Sequence, residues 1–381
     1  MRHLDLEIFN FRNFEKLKLE FSQGLNIFIG SNGQGKTNLL EALYLTTQGH
    51  SFRPAETPMF IRHDKEQSIL RSHILNETAH NSLDFLVQLN ISKSGKQYNV
   101  NEKKISSSDL KRKLACVVFS PESLAIIKSS AEERRNLVDE LIVTIDPKQL
   151  QMINDFKKAL KTRNKILKDF LKGQSTKKQA LDLLESINPI FLKLCITLTE
   201  MRIKAIRNIR LDFNTAMRNL SKDQNVDISV EYQAFERNIL DLEFTVFRDL
   251  HVQRLQELRE AELASGISLV GPHKHEIVFL MNRKDSRFFC SQGQQRAIIL
   301  SFKMAQIVYH RKTHGEYPVL MLDDVLSELD DQKRNALIAF LHDIKTQIFI
   351  TSTDLNLSDS FRLEGSSVIG IERGQILNLK N

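Results

Sequence analysis

Two short stretches near opposite ends of the chain most strongly limit how it can fold. Residues 30–37 read GSNGQGKT, which matches the pattern G-x-x-x-x-G-K-[ST] of a phosphate-binding loop. Residues 319–324 read VLMLDD, an apolar run that ends in two aspartates. From Lys36 to Asp323 is 287 residues, whereas compact P-loop enzymes usually carry both halves of the site much closer together. We therefore expect an α/β domain built from both chain ends, with a large insertion between them.

The surroundings of the loop favour a nucleotide site over a glycine-rich turn that merely enters a helix. The apolar run LNIFIG precedes it, and GKTNLLEALYLTTQG has the apolar spacing of a helix. Glycines let backbone N–H groups turn towards phosphate oxygens, and the helix N-terminus adds positive potential. Lys36 is expected to reach the β- and γ-phosphates and Thr37 to bind Mg²⁺. The predicted nucleotide-binding residues of the loop are Gly30, Ser31, Asn32, Gly33, Gln34, Gly35, Lys36 and Thr37.

The two aspartates follow a predicted buried strand, at the end where ligands of open α/β sheets bind. Asp323 is expected to hold Mg²⁺ through water, and Asp324 to polarise the attacking water. Neighbouring side chains on a strand point to opposite sides, so two separate roles fit better than a shared proton. Two aspartates after a strand can also cap a helix. Their pairing with the phosphate loop favours the catalytic interpretation.

Strand and helix patterns alternate at both ends of the chain, which predicts a largely parallel sheet. The middle has no glycine between Gly173 and Gly266 and repeats apolar residues every three or four positions, so several helices of ordinary length are expected. Pro147, Gly173 and Pro189 argue against a long heptad rod. Strands are further predicted at 17–21, in a hairpin over 83–100 that turns at Ser94-Gly95, and at 226–232, 267–271, 276–282 and 346–353. The predicted domains are an N-terminal ATPase part (1–125), a helical arm (126–266) and a C-terminal ATPase part (267–381).

The charge of the chain favours a polyanionic partner, although a solvated basic surface explains it equally well. The formal net charge is +7 and the isoelectric point is near 9.1. Residues 157–178 hold nine basic residues against the single acid Asp169, namely Lys157, Lys158, Lys161, Arg163, Lys165, Lys168, Lys172, Lys177 and Lys178. A second cluster comprises Arg202, Lys204, Arg207 and Arg210. Such a helix face would bind nucleic-acid phosphates without sequence preference, and the alternative is a solvated face.

Other features narrow the class of protein. No stretch approaches the roughly 18 apolar residues of a membrane span, and the first residues lack the apolar run of a signal peptide. Three widely separated cysteines favour reduced thiols and a cytoplasmic location. His310 and His314 are four residues apart on a predicted helix but lack the glutamate of an HExxH motif, so metal binding is disfavoured. Arg53 is a weaker candidate for a nucleotide contact.

Several motifs along the whole chain carry a family resemblance. They are NFRNFEKLKLEF before the phosphate loop, SFR at 51–53, VVFSPESL at 117–124, EERRNLVDE at 132–140, GPHKHEI at 271–277, SQGQQR at 291–296 and LDDVLSELD at 322–330. With these motifs the chain resembles the ABC-type ATPases of the SMC-like branch and, within them, the RecF family. The resemblance implies an ABC-type ATPase domain with an inserted, mostly helical arm, and ATP and Mg²⁺ as cofactors.

The resemblance makes SQGQQ, residues 291–295, the signature motif, which contacts the γ-phosphate held by a second subunit. It implies that Ser291, Gly293 and Gln294 bind nucleotide across a homodimer interface and that Asp330 crosses the same interface. Ser291 would then act in catalysis together with Lys36 and Asp324. A serine hydroxyl, a glycine N–H group and a helix N-terminus suit a negative phosphate. The alternative is a simple N-cap with an exposed polar start.

The function implied by the resemblance is that of an ATP-dependent DNA-binding protein of recombinational repair and replication. It would dimerise on ATP, bind single-strand gaps or duplex–single-strand junctions, hydrolyse ATP weakly, assist RecA loading with RecR and RecO, and take part in the SOS response. The chain departs from the pattern in having TSTD at 351–354 in place of a histidine, Ser120-Pro121-Glu122 in place of a glutamine, and His275 in place of an acid. A transporter nucleotide-binding subunit and a nuclease with an attached ATPase are the alternatives.

Overall fold

The computed structural model describes residues 2–77, 82–111, 113, 115–354 and 366–377. The chain forms two compact units. The first comprises Met1–Ala125, Thr215–Gln224 and Gln292–Asn381, and the second comprises Ile126–Asn214 and Asn225–Ser291. The first division falls after residue 125, and residues 215–224, predicted to belong to the helical arm, lie in the first unit. The segment 267–291, predicted to belong to the ATPase part, lies instead in the second unit.

The helices and strands follow in chain order. The N-terminal segment contains β1 (Arg2–His3), β2 (Asp5–Phe11), β3 (Phe14–Glu20), β4 (Leu25–Ile29), α1 (Lys36–Gln48), β5 (Gln67–Glu77), β6 (Ser82–Ser92), β7 (Gly95–Val100), β8 (Lys103–Ile105), α2 (Ser107–Lys111), β9 (Cys116–Phe119) and α3 (Pro121–Leu124). The middle contains α4 (Ala131–Ile145), α5 (Gln149–Leu171), α6 (Lys177–Ser221), β10 (Ile228–Ala234), β11 (Arg237–Asn238), α7 (Phe244–Glu257), α8 (Arg259–Ser265), β12 (Glu276–Met281), β13 (Lys284–Asp285) and α9 (Ser286–Phe289). The C-terminal segment contains α10 (Gln292–His314), β14 (Val319–Asp323), α11 (Asp331–His342), β15 (Ile348–Ser352), β16 (Ser367–Glu372) and β17 (Gln375–Leu377).

One sheet of the first unit is built from both chain ends, in the order β17-β16-β4-β15-β14-β9. All its neighbouring strands are parallel except β16 and β17. Strands β4, β14 and β15 are buried along their whole length, which explains their unbroken apolar sequences. Because β15 lies between β4 and β14, the carboxyl ends of those strands meet at one edge. The predicted α/β class and the contribution of both termini are confirmed.

A second, antiparallel sheet of the first unit has the order β3-β2-β5-β6-β7-β8, with β1 paired to β5. The strand predicted from the alternating residues 17–21 is β3, which begins earlier, at Phe14. In the predicted hairpin Ser92 pairs with Gly95, so the turn consists of Lys93 and Ser94. The turn therefore lies one residue before the predicted position.

The second unit is mainly helical, but its helices differ from the predicted ones. Helix α6 has 45 residues and continues through Pro189, so the prediction of helices of ordinary length is wrong for it. An interior proline usually costs a helix about 3 kcal/mol or more. Around it Leu184, Phe191 and Cys195 are all buried in apolar clusters with α5, and this packing offsets the lost hydrogen bond.

A small antiparallel sheet in the second unit has the order β11-β10-β12-β13. Strands predicted at 226–232 and 276–282 correspond to β10 and β12, whereas 267–271 forms no strand. That stretch is held by side chains instead, since Asn164 accepts a hydrogen bond from the Ser268 N–H at 2.7 Å. Pairing of β12 with β10 is also the reason why the segment after residue 267 belongs to this unit.

Two arginines that the sequence assigned to basic surface clusters are buried. Arg163 donates to Glu262 at 2.6 and 2.9 Å, and the two side chains are 2% and 1% exposed. Arg202 forms two hydrogen bonds with Asp139 at 2.7 and 2.9 Å. Both pairs hold helices of the second unit together. These two arginines are therefore not part of the predicted phosphate-binding faces. The eight lysines of 157–178 are exposed.

An aromatic cluster in the second unit surrounds His251. Its ring lies 5.1 Å from Phe247, 5.3 Å from Phe235 and 5.9 Å from His275, measured between centroids. Burial lowers the pKa of His251 to about 4, and both of its ring nitrogens are buried without a hydrogen-bond partner among the described residues. The neutral imidazole therefore packs like an apolar ring. Burial also lowers the pKa of His275 well below its ordinary value.

Candidate nucleotide-binding site

The phosphate loop connects β4 to α1 in a backbone conformation that depends on glycine. Gly33 and Gly35 have positive φ angles of 78° and 116°. A Cβ atom on Gly35 would lie 2.5 Å from Asn13 Nδ2, and one on Gly30 would lie 2.3 Å from the carbonyl oxygen of Ile371. A methyl group has no room at either place, so the sequence spacing of these glycines has a direct steric cause.

Lys36 opens helix α1 and points back over the loop. Its Nζ donates to the carbonyl oxygens of Gly30 at 2.6 Å and Ser31 at 2.8 Å, and its residue is 6% exposed. Burial lowers the pKa of Lys36, while the nearby carboxylates of Asp324 and Asp323 act in the opposite direction. The ammonium group is therefore held over the concave loop, where an incoming phosphate can replace the two carbonyl acceptors.

Thr37 and Asp323, which are 286 residues apart in sequence, meet directly. Thr37 Oγ1 donates to Asp323 Oδ1 at 2.8 Å, and Thr351 Oγ1, at the end of β15, donates to the same oxygen at 2.9 Å. Burial raises the pKa of Asp323, and the two hydroxyl donors partly counteract this. The TSTD segment thus places a hydroxyl group against the acidic strand end, at the position where the resemblance led us to expect a histidine.

Asp324 departs from strand geometry immediately after β14. Its φ of 48° and ψ of 26° are left-handed, a conformation that residues other than glycine rarely adopt. Its N–H group donates to Thr351 Oγ1 at 2.8 Å and so stabilises the bend. Strand β9 pairs with β14, with Phe119 opposite Leu322, and the segment Ser120-Pro121-Glu122 follows directly after β9. The charge of Glu122 adds to burial, the main cause, in raising the pKa of Asp323. The structure thus brings this segment close to the acidic strand end.

A buried carboxylate on α1 organises the side of the loop, and the sequence analysis missed it. Glu41 is fully buried and receives hydrogen bonds from Arg12 at 2.9 and 3.0 Å, Arg53 at 2.6 Å and Ser51 at 2.6 Å. Burial would raise the pKa of Glu41, but these donors outweigh it and the pKa lies below its ordinary value. Arg53, the weaker candidate for a nucleotide contact, also donates to Asn38 at 3.0 Å.

The middle of the loop is held by two other chain segments. Asn13 Nδ2 donates to the carbonyl oxygen of Gln34 at 3.0 Å. From the turn between β16 and β17, the N–H groups of Arg373 and Gly374 donate to Gln34 at 2.6 and 3.1 Å. The only prior signal for Asn13 was its place in the family motif NFRNFEKLKLEF. No sequence pattern indicated that the turn at Arg373 and Gly374 would contact the loop.

The signature motif lies where the chain passes from the second unit to the first. Ser291, Gln292, Gly293 and Gln294 are exposed, while Gln295 is buried. Arg296, five residues after Ser291, donates through Nη1 to the carbonyl oxygen of Glu328 at 3.0 Å. Its guanidinium also forms an ion pair with the side-chain carboxylate of Glu328. The start of α10 is therefore tied to the SELD segment.

Asp330, the last residue of SELD, caps helix α11. Its carboxylate accepts a hydrogen bond from the Lys333 N–H at 2.9 Å and pairs with Lys333 Nζ. The hydrogen bonds from Lys333 lower the pKa of Asp330. Asp330 remains exposed, as do Ser291, Gln292, Gly293 and Gln294 of the signature motif.

The oxygen atoms at the acidic strand end suit Mg²⁺, a hard cation that prefers few protein ligands together with phosphates and water. Thr37 and Asp323 would hold it, and the ion would neutralise charge on the bound phosphates. Among the described residues no group of three histidine, cysteine or acidic side chains could hold a metal by itself. His310 Nδ1 instead bonds the Glu316 carbonyl oxygen at 2.9 Å.

Comparison with known proteins identifies the family. The family model "RecF/RecN/SMC N terminal domain" matches residues 4–373. The DNA replication and repair protein RecF of Listeria welshimeri is 33% identical over 370 residues, which cover 96% of this chain and 97% of the relative. The chain belongs to the RecF family. RecF of Bacillus subtilis is 31% identical over 383 residues, which cover 98% of this chain and 99% of the relative.

Solved structures agree with the assignment to the RecF family. A structure described as the recombination mediator protein RecF-ATP in the RecFOR pathway has a TM-score of 0.85 and 28% identity, covering 99% of this chain and 97% of the other. A Pyrococcus furiosus Smc head domain has a TM-score of 0.54 at 16% identity, covering 98% of this chain and 95% of the other, which supports the fold alone. None of the helices in the described ranges has the length and apolarity needed to cross a membrane.

Proposed function

We propose that this RecF-family protein is an ATP-dependent DNA-binding ATPase of recombinational repair and replication that acts in the cytoplasm. The contact that carries the proposal is the hydrogen bond between Thr37 and Asp323, which joins the phosphate loop to the acidic strand end at 2.8 Å. These two residues, with Lys36 above the loop, provide the groups that a Mg²⁺-bound triphosphate requires. A protein of this family solved with ATP supports the choice of nucleotide.

In this proposal two copies bind ATP between them. Lys36 of one copy holds the β- and γ-phosphates, while Ser291 and the N–H groups near Gly293 and Gln294 of the other copy contact the γ-phosphate. The support is that the signature motif and Asp330 are exposed to solvent. Nucleotide that binds only the dimer stabilises it by mass action. Asp324 polarises the attacking water, and hydrolysis dissolves the dimer.

The DNA-binding part of the proposal rests on the second unit. Eight exposed lysines lie along α5 and the start of α6 between residues 157 and 178. Lys158 pairs with Asp155 at 3.8 Å and Lys177 with Glu260 at 2.8 Å. We propose sequence-independent backbone contact at single-strand gaps or duplex–single-strand junctions, strongly weakened by salt. DNA would stimulate a slow ATPase, and the protein would assist RecA loading with RecR and RecO and promote SOS induction.

Light scattering of the purified protein with and without MgATP and DNA tests the proposal. Wild type should shift from monomer to dimer with ATP, and Ser291→Arg should remain a monomer while still binding ATP. Lys36→Arg should bind ATP without turning it over. A wild-type protein that remains monomeric after ATP is added, or a Lys36→Arg variant that hydrolyses ATP at the normal rate, would refute the assignment of the site.

A further inference from the structure

Two exposed aromatic side chains immediately precede the signature motif. Phe288 is 75% and Phe289 is 68% exposed, and both belong to the short helix α9. Ser291 follows two residues after Phe289, so at roughly 3.5 Å per residue the Cα atoms of both phenylalanines lie within about 10 Å of that of Ser291. Adjacent, water-exposed phenylalanines are unfavourable in an isolated protein and usually mark an interaction surface.

The exposure of these rings is a property of the fold and not of a loose segment. Ser286 anchors α9 and is fully buried. Arg287 pairs with Asp285 at 2.7 Å and with Glu276 of β12 at 3.4 Å. Glu276 is in turn held by Arg134 of α4 through two hydrogen bonds of 2.8 and 2.9 Å. The helix is therefore fixed to the second unit with its two rings facing solvent.

Positive charge accompanies the aromatic pair. The guanidinium carbon of Arg287 lies 5.4 Å from the centroid of the Phe288 ring, and Lys284 Nζ lies 5.8 Å from that of Phe289. Asp285 and Glu276 balance the charge of Arg287, so the patch combines two apolar rings with the positive charge of Lys284. Its best counterpart is a surface with a negative charge beside apolar groups. A phosphate loop becomes such a surface only when it holds a triphosphate.

We propose that Phe288 and Phe289, flanked by Lys284 and Arg287, form a docking patch for the nucleotide-loaded second copy of this chain. The patch contacts that copy beside its phosphate loop, on the side adjoining the partner-bound nucleotide. This inference rests on the proposed function, because it requires the signature motif to act across a dimer. It adds an apolar contact that strengthens the dimer and a cation, Lys284, that makes docking depend on bound triphosphate.

The double variant Phe288→Ala/Phe289→Ala tests the proposal, with Leu183→Ala/Ile190→Ala as matched control. The control also removes two exposed apolar side chains of the second unit, which are 51% and 62% exposed on α6. Analytical ultracentrifugation over a concentration series in MgATP measures the dimer dissociation constant. We expect it to rise at least tenfold in the double phenylalanine variant and to stay within twofold in the control. Fluorescent ATP should bind dilute, monomeric samples of all three proteins equally.

Three results separate the possible failures. Unchanged dimerisation by the phenylalanine variant would overturn the proposal. Unchanged dimerisation together with weaker binding of a fluorescent single-stranded oligonucleotide would overturn it in favour of a base-stacking surface for DNA. A wild-type protein that stays monomeric in MgATP would refute the dimer itself, and with it both the proposed function and this patch.

Discussion

Replacing Thr351 by valine tests how the acidic strand end is kept in its working state. Thr351 Oγ1 donates to Asp323 Oδ1 at 2.9 Å and accepts from the Asp324 N–H group at 2.8 Å. Valine has nearly the same shape, and the residue is 1% exposed, so packing should be retained. The change removes both hydrogen bonds and little else.

The free energy that Thr351→Val is expected to lose follows from the charge of the acceptor, the Asp323 carboxylate. A hydrogen bond to an ionised group contributes about 1.5–3 kcal/mol. If that stabilisation is needed during hydrolysis, the rate should fall by roughly 10- to 150-fold, at about 1.4 kcal/mol per tenfold. Burial already raises the pKa of Asp323, and Thr351 counteracts it. Without this donor a smaller fraction of Asp323 is ionised at a given pH, so the acidic limb of kcat/KM should move to higher pH.

Steady-state ATP hydrolysis across the acidic and neutral range measures both effects. Thr353→Val is the matched control, because Thr353 lies two residues further along and is exposed. Binding of fluorescent ATP without Mg²⁺ should be the same in wild type and both variants. A Thr351→Val protein with the wild-type rate and an unmoved acidic limb would show that this hydroxyl does not hold Asp323 in its working state.

Three further predictions follow from steric and electrostatic features. Gly30→Ala should abolish ATP binding because its methyl group would meet a backbone carbonyl at 2.3 Å. Gly24→Ala, whose added methyl group would meet no atom of the described residues within 4 Å, should bind normally in a calorimetric titration. Glu262→Gln leaves the charge of Arg163 buried and should lower the free energy of unfolding in urea by about 3–5 kcal/mol; an unchanged midpoint would contradict this. Because the pKa of His251 is lowered to about 4 from 6.5, the unfolded chain binds the proton first and stability should fall as pH drops between these values. The pKa values of His273 and His310 are also lowered to about 4, so His251→Phe should make that slope less steep in thermal melts by the share of one group. A variant with the wild-type slope would contradict the assignment.

The sequence predicted those parts of the site that a local pattern encodes. The glycines of the phosphate loop and the apolar run before Asp323 are both short-range signals, and the parallel sheet follows from alternating strand and helix patterns. Glu41 could not be found in this way. It reads as an ordinary polar position on an amphipathic helix, and only the fold brings Arg12 and Arg53 to it.

Sequence patterns failed where tertiary packing overrides a local rule. Pro189 should end or kink a helix, yet α6 continues through it because buried residues on both sides of the proline pack against α5. Arg163 and Arg202 were predicted to be surface charges, because the local sequence does not show that each forms an ion pair with an acid far away in the chain, Glu262 and Asp139 respectively. The apolar stretch 267–271 resembles a strand, but its backbone is bound by side chains such as Asn164.

Mixing two inactive variants tests the central claim most directly. In the proposed dimer each site takes Lys36 from one copy and Ser291 from the other, so a heterodimer of Lys36→Ala and Ser291→Arg contains one intact site and one doubly altered site. Each variant alone should be inactive in ATP hydrolysis. An equal mixture should recover ATP hydrolysis that neither variant shows alone, at most on the order of half of wild-type activity, because each mixed dimer contains one intact site of two. A mixture no more active than the two variants measured separately would contradict a site shared between two copies.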